Sequence, residues 1–413
     1  MSLLSSSMSL VRRNPYPLFS AMRRFQPVAH IKRYGLWMVF GYEDTKRVLT
    51  DYASFSSNFA SVQGAAATRE MAASLITSDP PIHTKLRGLV TRAFTNRAVS
   101  SLEPRIAQLT HAMLDTVIEQ GQMDMIDDLA YPLPVVVIAE MLGIPSNDRA
   151  QFRVWSDALV RGADDLFGDH QEMEGSGQAG APLVMEGMGP YLHDIIEDRR
   201  RHPREDLISG LIAAELDGEQ LTEDDLMSFC SLLLVAGNVT TTNLIGNSIL
   251  TLLQHPRALA RLRAEPALLP GAIEEVLRYR SPVQFMFRVA TRPVELRGRT
   301  IEPGSVVLAF IGSANRDEAR FPNANQFVLD REPNQHIAFG NGVHYCLGAP
   351  LARLEGRVAL SIILDRLEDM RLATPWPLPP GEALILHGVR RLPLRFKPAA
   401  RVGTPHPELQ VAV

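Results

Sequence analysis

The run from Thr222 to Pro256 constrains this chain more than any other stretch. Thr222 and Asp225 stand at the spacing of a capping box, and the pattern then stays helical up to Pro256, roughly 33 residues or about 50 Å. A helix of that length crosses an entire domain. Its apolar residues, among them Leu226, Phe229, Leu233, Val235, Ala236, Ile245 and Ile249, point to several sides, so the helix belongs in the interior. Its middle, A-G-N-V-T-T-T-N from Ala236 to Asn243, is polar where a core helix should be apolar. Asn238, three threonines, Asn243 and Asn247 interrupt the run from Leu232 to Leu253, which therefore reads as a buried helix rather than a membrane span.

Composition narrows the class. With 413 residues, 46% hydrophobic side chains and a net charge of -4, the chain can bury a large core. It shows no basic stripe of the kind a nucleic-acid partner requires. Two cysteines, Cys230 and Cys346, exclude a disulfide framework and fit a reducing compartment. The first residues, M-S-L-L-S-S-S-M-S-L-V-R-R, lack a signal-peptide core and are too short and polar for an anchor. The expectation is a cytoplasmic protein with no membrane anchor.

Aromatic and β-branched residues around Gly35 predict a hairpin over 26–40, and Tyr42 to Leu49 a short helix. Ser54 to Thr68 reads as a loop. Asp79-Pro80-Pro81 predicts a helix start, after which His83 and Arg87 share one face. Leu102 to Leu142 predicts two helices broken near Met123 to Asp128. Leu166 to Gly189 reads as a mobile connection, and Pro190 to Arg201 as a helix. Helices are predicted over Leu268 to Tyr279 and Ala352 to Leu367, strands over Pro282 to Phe310, and a closing hairpin over Leu384 to Phe396. Cys230 reads as a core residue of the long helix.

The chemistry centres on Phe339 to Arg353, F-G-N-G-V-H-Y-C-L-G-A-P-L-A-R, where Gly340, Gly342 and Gly348 flank Cys346. The thiol stands before a helix start, whose N–H groups favour a thiolate. This loop resembles the haem-binding signature of the cytochrome P-450 superfamily, in which the corresponding cysteine is the axial ligand of the iron. Glu275-Val276-Leu277-Arg278 is similar to the family's E-x-x-R pair, and Arg331 to the third member of its ion network. A-G-N-V-T-T at Ala236 to Thr241 resembles the family's oxygen-binding segment. The resemblance implies that Gly237 lets the helix open over the haem and that Thr240 helps deliver protons for O–O cleavage. It also implies that His83, Arg87, Arg288 and His344 bind the haem propionates.

One departure stands out, because Val239 occupies the place where the family usually has Asp or Glu. Proton delivery would then run through water, Asn238 or Thr241, or be weak.

The resemblance spans nearly the whole chain and implies one cytochrome P-450 domain over 1–413. Its fold is mainly α with small β-sheets, β-rich near 26–41, 282–310 and 384–396, with haem b between the long helix and the cysteine loop. Cofactor contacts are expected from His83, Arg87, Ala236, Gly237, Arg288, Phe339, Gly340, His344, Cys346 and Gly348, with Cys346 on the iron. Thr240, Thr241 and Asn238 are the catalytic candidates. The implied reaction is hydroxylation or epoxidation of a lipophilic small molecule, with electrons from a separate ferredoxin or flavodoxin docking near Arg92, Arg97, Arg353 and Arg357. Ser61 to Ala73, Leu166 to Met188, Val283 to Phe287 and Ile385 to His387 are expected to line the pocket, and Val235, Val283, Phe285, Met286 and Leu386 are the named candidates. A peroxide-driven peroxygenase, an isomerase, and a haem sensor or carrier are the alternatives.

Overall fold

The structure, a computed structural model, describes residues 11–58, 74–148, 151, 154–155, 180–381 and 384–403. The long helix runs Glu223–Gln254 and begins with the expected capping box: Thr222 accepts from the Asp225 N–H while the Asp225 carboxylate takes the Thr222 N–H. The helices Pro132–Met141, Leu269–Tyr279 and Ala349–Arg366 pack against it, and Glu103–Asp115 packs on the last of these. Their shared core includes Leu226, Leu244, Ile245, Ile249 and Leu360, all essentially inaccessible. Cys230 is fully buried among them, and burial pushes its thiol up to about 12. It is the inert core residue expected. The long helix is also the one described helix long and apolar enough to cross a membrane, a property that core helices share.

The main sheet has five strands in the order Val28–Ile31, Leu36–Val39, Val306–Ala309, Met286–Ala290, Phe55–Ser56. The first two form the predicted hairpin, turning at Gly35 with φ +60°. The strand Val306–Ala309 lies parallel to Leu36–Val39 and antiparallel to Met286–Ala290, which puts Arg288 opposite Val307.

Three expectations change. Phe55–Ser56 is a strand rather than loop, because it completes the sheet edge beside Val289 and Ala290. Residues 59–68 of that expected loop, and all of Ser61 to Ala73, lie outside the described residues. The helix expected from Pro190 begins at Gly180 and carries Pro190 inside it, so the connection expected up to Gly189 is helical from 180 on. Met188, Leu192, Ile195 and Ile196 form a buried stripe at helical spacing that outweighs the local cost of the proline. The rest of that connection, 166–179, lies outside the described residues. Finally, Leu384 to Phe396 is not a hairpin. Pro393–Arg395 pairs instead with Gln122–Asp124 and Arg371–Leu372, since Leu392 and Leu394 are drawn into the main core. The former strand occupies the break expected between the helices of 102–142.

Candidate active site

The cysteine loop is shaped by two backbone reversals. Gly340 and Gly342 adopt φ of +74° and +75°, conformations that disfavour any side chain, and Gly342 lies against Thr50. The Cys346 N–H closes the loop on the Phe339 carbonyl at 2.9 Å. Gly348, by contrast, has an ordinary φ and caps the helix Ala349–Arg366. Phe339 is clamped by the Arg353 guanidinium, 4.5 Å from its ring centre, and Arg353 forms a bidentate pair with Glu274 at 2.7 and 2.8 Å. Burial alone would raise the Glu274 carboxyl, but bonds from Arg353 and His336 hold it near 2. The loop is thereby tied to the helix Leu269–Tyr279.

Cys346 faces a cavity of about 270 Å³ whose far wall is the long helix. Burial pushes the thiol up, opposed by the Gly348 and Ala349 N–H groups and by the charges of Arg87 and Arg353. The surroundings suit a sulfur that shares its electrons with a cation at that spot.

Four basic side chains from separate parts of the chain converge on this cavity. His83 and Arg87 sit one turn apart on the helix Ile82–Ala93. Arg288 and Met286 project from one face of their strand at a spacing of two, and His344 comes from the cysteine loop. The His83 and His344 rings lie 4.2 Å apart. Asp79 is the one acid acting on the group among the described residues, and it already accepts from the Ser56 hydroxyl and the Ser57 N–H. Burial, then repulsion from Arg288, His83 and Arg87, drives His344 down to about 3. Burial lowers Arg288 to about 10. Both ring nitrogens of His83, 1% exposed, lack any partner among the described residues. Such a concentration of unanswered positive charge and donors calls for an anion.

The long helix shows the cavity a stripe of Leu233, Ala236, Gly237, Thr240, Thr241 and Leu244, spaced by threes and fours. The helix is continuous through Gly237. Thr240 Oγ1 donates to the Ala236 carbonyl at 2.6 Å, and a side chain at 237 would collide with Ile138. Asn238 departs from expectation. It is 1% exposed, points away from the cavity and accepts from Thr242. Val239 is half-buried and likewise off the stripe.

A model of the Cytochrome P-450 family matches residues 7–387. The chain belongs to this family. It is 41% identical over 377 residues to the cytochrome P-450 YjiB of Bacillus subtilis, covering 91% of this chain and 92% of that one. It is 38% identical to the cytochrome P-450 monooxygenase PikC of Streptomyces venezuelae, over 94% and 93% of the two chains. The crystal structure of CYP109E1 from Bacillus megaterium in complex with testosterone superposes with a TM-score of 0.83 at 39% identity, covering 93% of this chain and 99% of that one. The protein is thus a P-450 monooxygenase of mainly helical fold, and the family implies a haem.

The residues present fit that group. A sulfur on one side, a helix face of small residues on the other, and two arginines with two histidines, His83 having no partner for either nitrogen among the described residues, meet the needs of a flat ring bearing two carboxylates. Of the expected pocket residues, Val283 and Met286 line the cavity. Phe285 does not: one position off in the alternation, it packs on Phe287 and Phe310 in a separate cluster. Leu386 bridges Val283 but is not in the lining, and the Val235 side chain lies outside the described residues. Leu233, Leu244 and Ile138 were missed; the first two are readable as the turns flanking Thr240 on one helix face. Glu275, Arg278 and Arg331 do form one buried network, with Arg278 Nε to Glu275 Oε2 at 2.7 Å and Arg331 Nε to the same oxygen at 3.0 Å.

Proposed function

We propose that this P-450 inserts one oxygen atom from dioxygen into a lipophilic small molecule in the cytoplasm, drawing electrons from a separate ferredoxin or flavodoxin. The observation that carries the reading is the convergence of His83, Arg87, Arg288 and His344 beside Cys346, with His83 idle at both nitrogens. Cys346 would hold the iron of haem b, and His83, Arg87, Arg288 and His344 its propionates. Phe339, Gly340 and Gly348 frame the sulfur, while Ala236 and Gly237 border the opposite face. When bound, the haem supplies dioxygen activation, one oxygen atom going to substrate and the other to water.

The chain's own residues bind, orient and supply protons. Leu75, Leu232, Leu233, Val283 and Met286 present apolar surface, which favours a terpenoid, steroid, fatty acid or polyketide; the testosterone in the CYP109E1 crystal accords with that class. Thr240 Oγ1 is the hydroxyl best placed to pass a proton into the cavity, with Thr241 beside it. Arg353 and Arg357 are already committed to Glu274 and Glu103, which leaves exposed Arg92 and Arg97, without ion pairs among the described residues, to attract an acidic electron carrier.

A second reading rests on Val239. With no carboxylate beside a Thr240 hydroxyl that is engaged with a carbonyl, peroxide-driven oxidation needs less of the protein. Holoenzyme is screened for ligands that shift the Soret band, and each hit is incubated with ferredoxin, reductase and NADPH, or with peroxide alone. Product in the first mixture supports the monooxygenase reading. Product with peroxide alone replaces it by the peroxygenase, and ligand binding without product in either points to a carrier.

A further inference from the structure

A second cavity, of about 480 Å³, shares no lining residue with the first. Its wall joins the N-terminal segment (Arg13, Tyr16), the end of the long helix (Gln254), the end of the helix Leu269–Tyr279 with Arg280 after it, and Arg316, Asn325 and His387. Three guanidinium groups line it and no aspartate or glutamate does.

Arg280 and Arg316 carry no ion pair among the described residues. Arg316, 4% exposed, is held between the rings of Tyr279 and Tyr16, whose centres lie 3.4 and 4.0 Å from its guanidinium carbon. Its Nε donates to the Tyr279 carbonyl at 2.7 Å, and one terminal nitrogen reaches Asn325 Oδ1 at 3.4 Å. Among the described residues the Arg280 side chain makes a single bond, Nη2 to Gln254 Oε1 at 2.8 Å, and its buried Nε has no partner. Arg13 Nε is also buried and has no partner among the described residues. Glu318, which takes a bond from the lining residue Asn325, is paired with Arg23. His387 does not add to the charge: burial, then Arg280 and Arg316, hold it down near 3.

Arginine cannot escape an apolar site by losing its proton, so the buried Arg316 and the half-buried Arg280, with no carboxylate partner among the described residues, leave donors and charge to be met from outside the chain. Planar forks of N–H groups match the oxygens of phosphate or carboxylate. We propose that this cavity is an oxyanion-binding site, held by Arg13, Arg280 and Arg316, for a small molecule bearing phosphate or carboxylate groups. The aromatic walls leave room beside the anion for an attached body.

The test is calorimetric titration of holoenzyme with inorganic phosphate, pyrophosphate and citrate, against chloride at matched ionic strength. Saturable binding of one oxyanion per chain is expected, weakened by at least about tenfold in Arg13→Gln and Arg280→Gln and unchanged in Arg24→Gln, an exposed arginine outside the lining. Preference for the phosphates or for citrate identifies the source of the oxyanion. No saturable binding beyond chloride overturns the proposal, as does equal affinity in wild type and Arg13→Gln. Arg13 is half-exposed on the N-terminal segment, so that variant carries the test even where Arg280→Gln fails to fold.

Discussion

Glu275→Gln is the sharpest probe of what holds the cysteine side together. Glu275 and Arg278 are both 0% exposed. The Glu275 carboxylate accepts from Arg278 Nε and Nη2 at 2.7 and 2.8 Å, from Arg331 Nε at 3.0 and 3.1 Å, from the Val328 N–H at 2.9 Å and from Asn334 Nδ2 at 3.3 Å. A glutamine keeps the shape but replaces one acceptor oxygen by an NH₂ that faces these donors, and it strands two arginines without a counter-charge. Breaking a buried pair in this way costs about 3–5 kcal/mol. At about 2 °C per kcal/mol, the lower end of the range for larger chains, Tm should fall by roughly 6–10 °C. The change is read by thermal and denaturant unfolding of the holoenzyme followed by circular dichroism. Arg401→Ala is the internal standard, because the Arg401–Glu119 pair is 44% and 56% exposed and its loss should cost under about 1 kcal/mol. If Glu275→Gln unfolds within about 1 kcal/mol of wild type, or together with Arg401→Ala, the network is not what fixes this face.

Three further outcomes are expected. Val239→Glu restores a carboxylate next to Thr240 and should raise product formed per NADPH; equal yields in the two proteins would refute the link between Val239 and proton delivery. His83→Phe removes nitrogens that bond nothing among the described residues, so the apoprotein should keep its stability to within about 1 kcal/mol, while haem affinity falls by roughly ten- to a hundredfold for the loss of one charge-assisted bond. Haem titration with apoprotein unfolding separates the two, and unchanged affinity would remove His83 from the propionate set. Glu355 is buried with an unpartnered Oε2, and burial raises its carboxyl from 4.5 to about 8. The folded protein therefore keeps a proton that the unfolded chain releases, so stability is full below about pH 4.5 and is lost as pH rises toward 8, by up to about 5 kcal/mol. Glu355→Gln should flatten that slope between pH 5.5 and 8, and an unaltered slope would assign it to other groups.

What could be read in advance follows the range of the interactions involved. The long helix was legible because its cap, its apolar faces and its stop at Pro256 lie within one continuous stretch. The same locality made the cysteine loop readable, where Gly340 and Gly342 take up the sharp bends. His83 with Arg87, and Met286 with Arg288, share faces by the arithmetic of helix and strand. Phe285 shows the limit of that arithmetic: one residue from Met286, it belongs to a different core, because only the sheet's partners decide which face is the cavity. Pro393–Arg395 finds its neighbour at Gln122–Asp124, a pairing no local pattern in either segment announces.

Charge compensation is less local still, and it is where the two cavities meet in one physical question. Arg278, Arg280 and Arg316 look alike in the sequence, yet Arg278 meets Glu275 while the other two reach no carboxylate among the described residues. His83 and Arg288 likewise look like ordinary polar residues until the fold brings them beside His344. A buried cation is identifiable as a ligand-binding group only when every acid packed against it has been accounted for. Beside the first cavity Asp79, the one acid acting on the group among the described residues, is already spent on Ser56 and Ser57, and the unmet charge matches the propionates of the family's cofactor. In the second, Glu318 is spent on Arg23 and Asn325, and by the same reasoning the remaining charge requires an anion from solution.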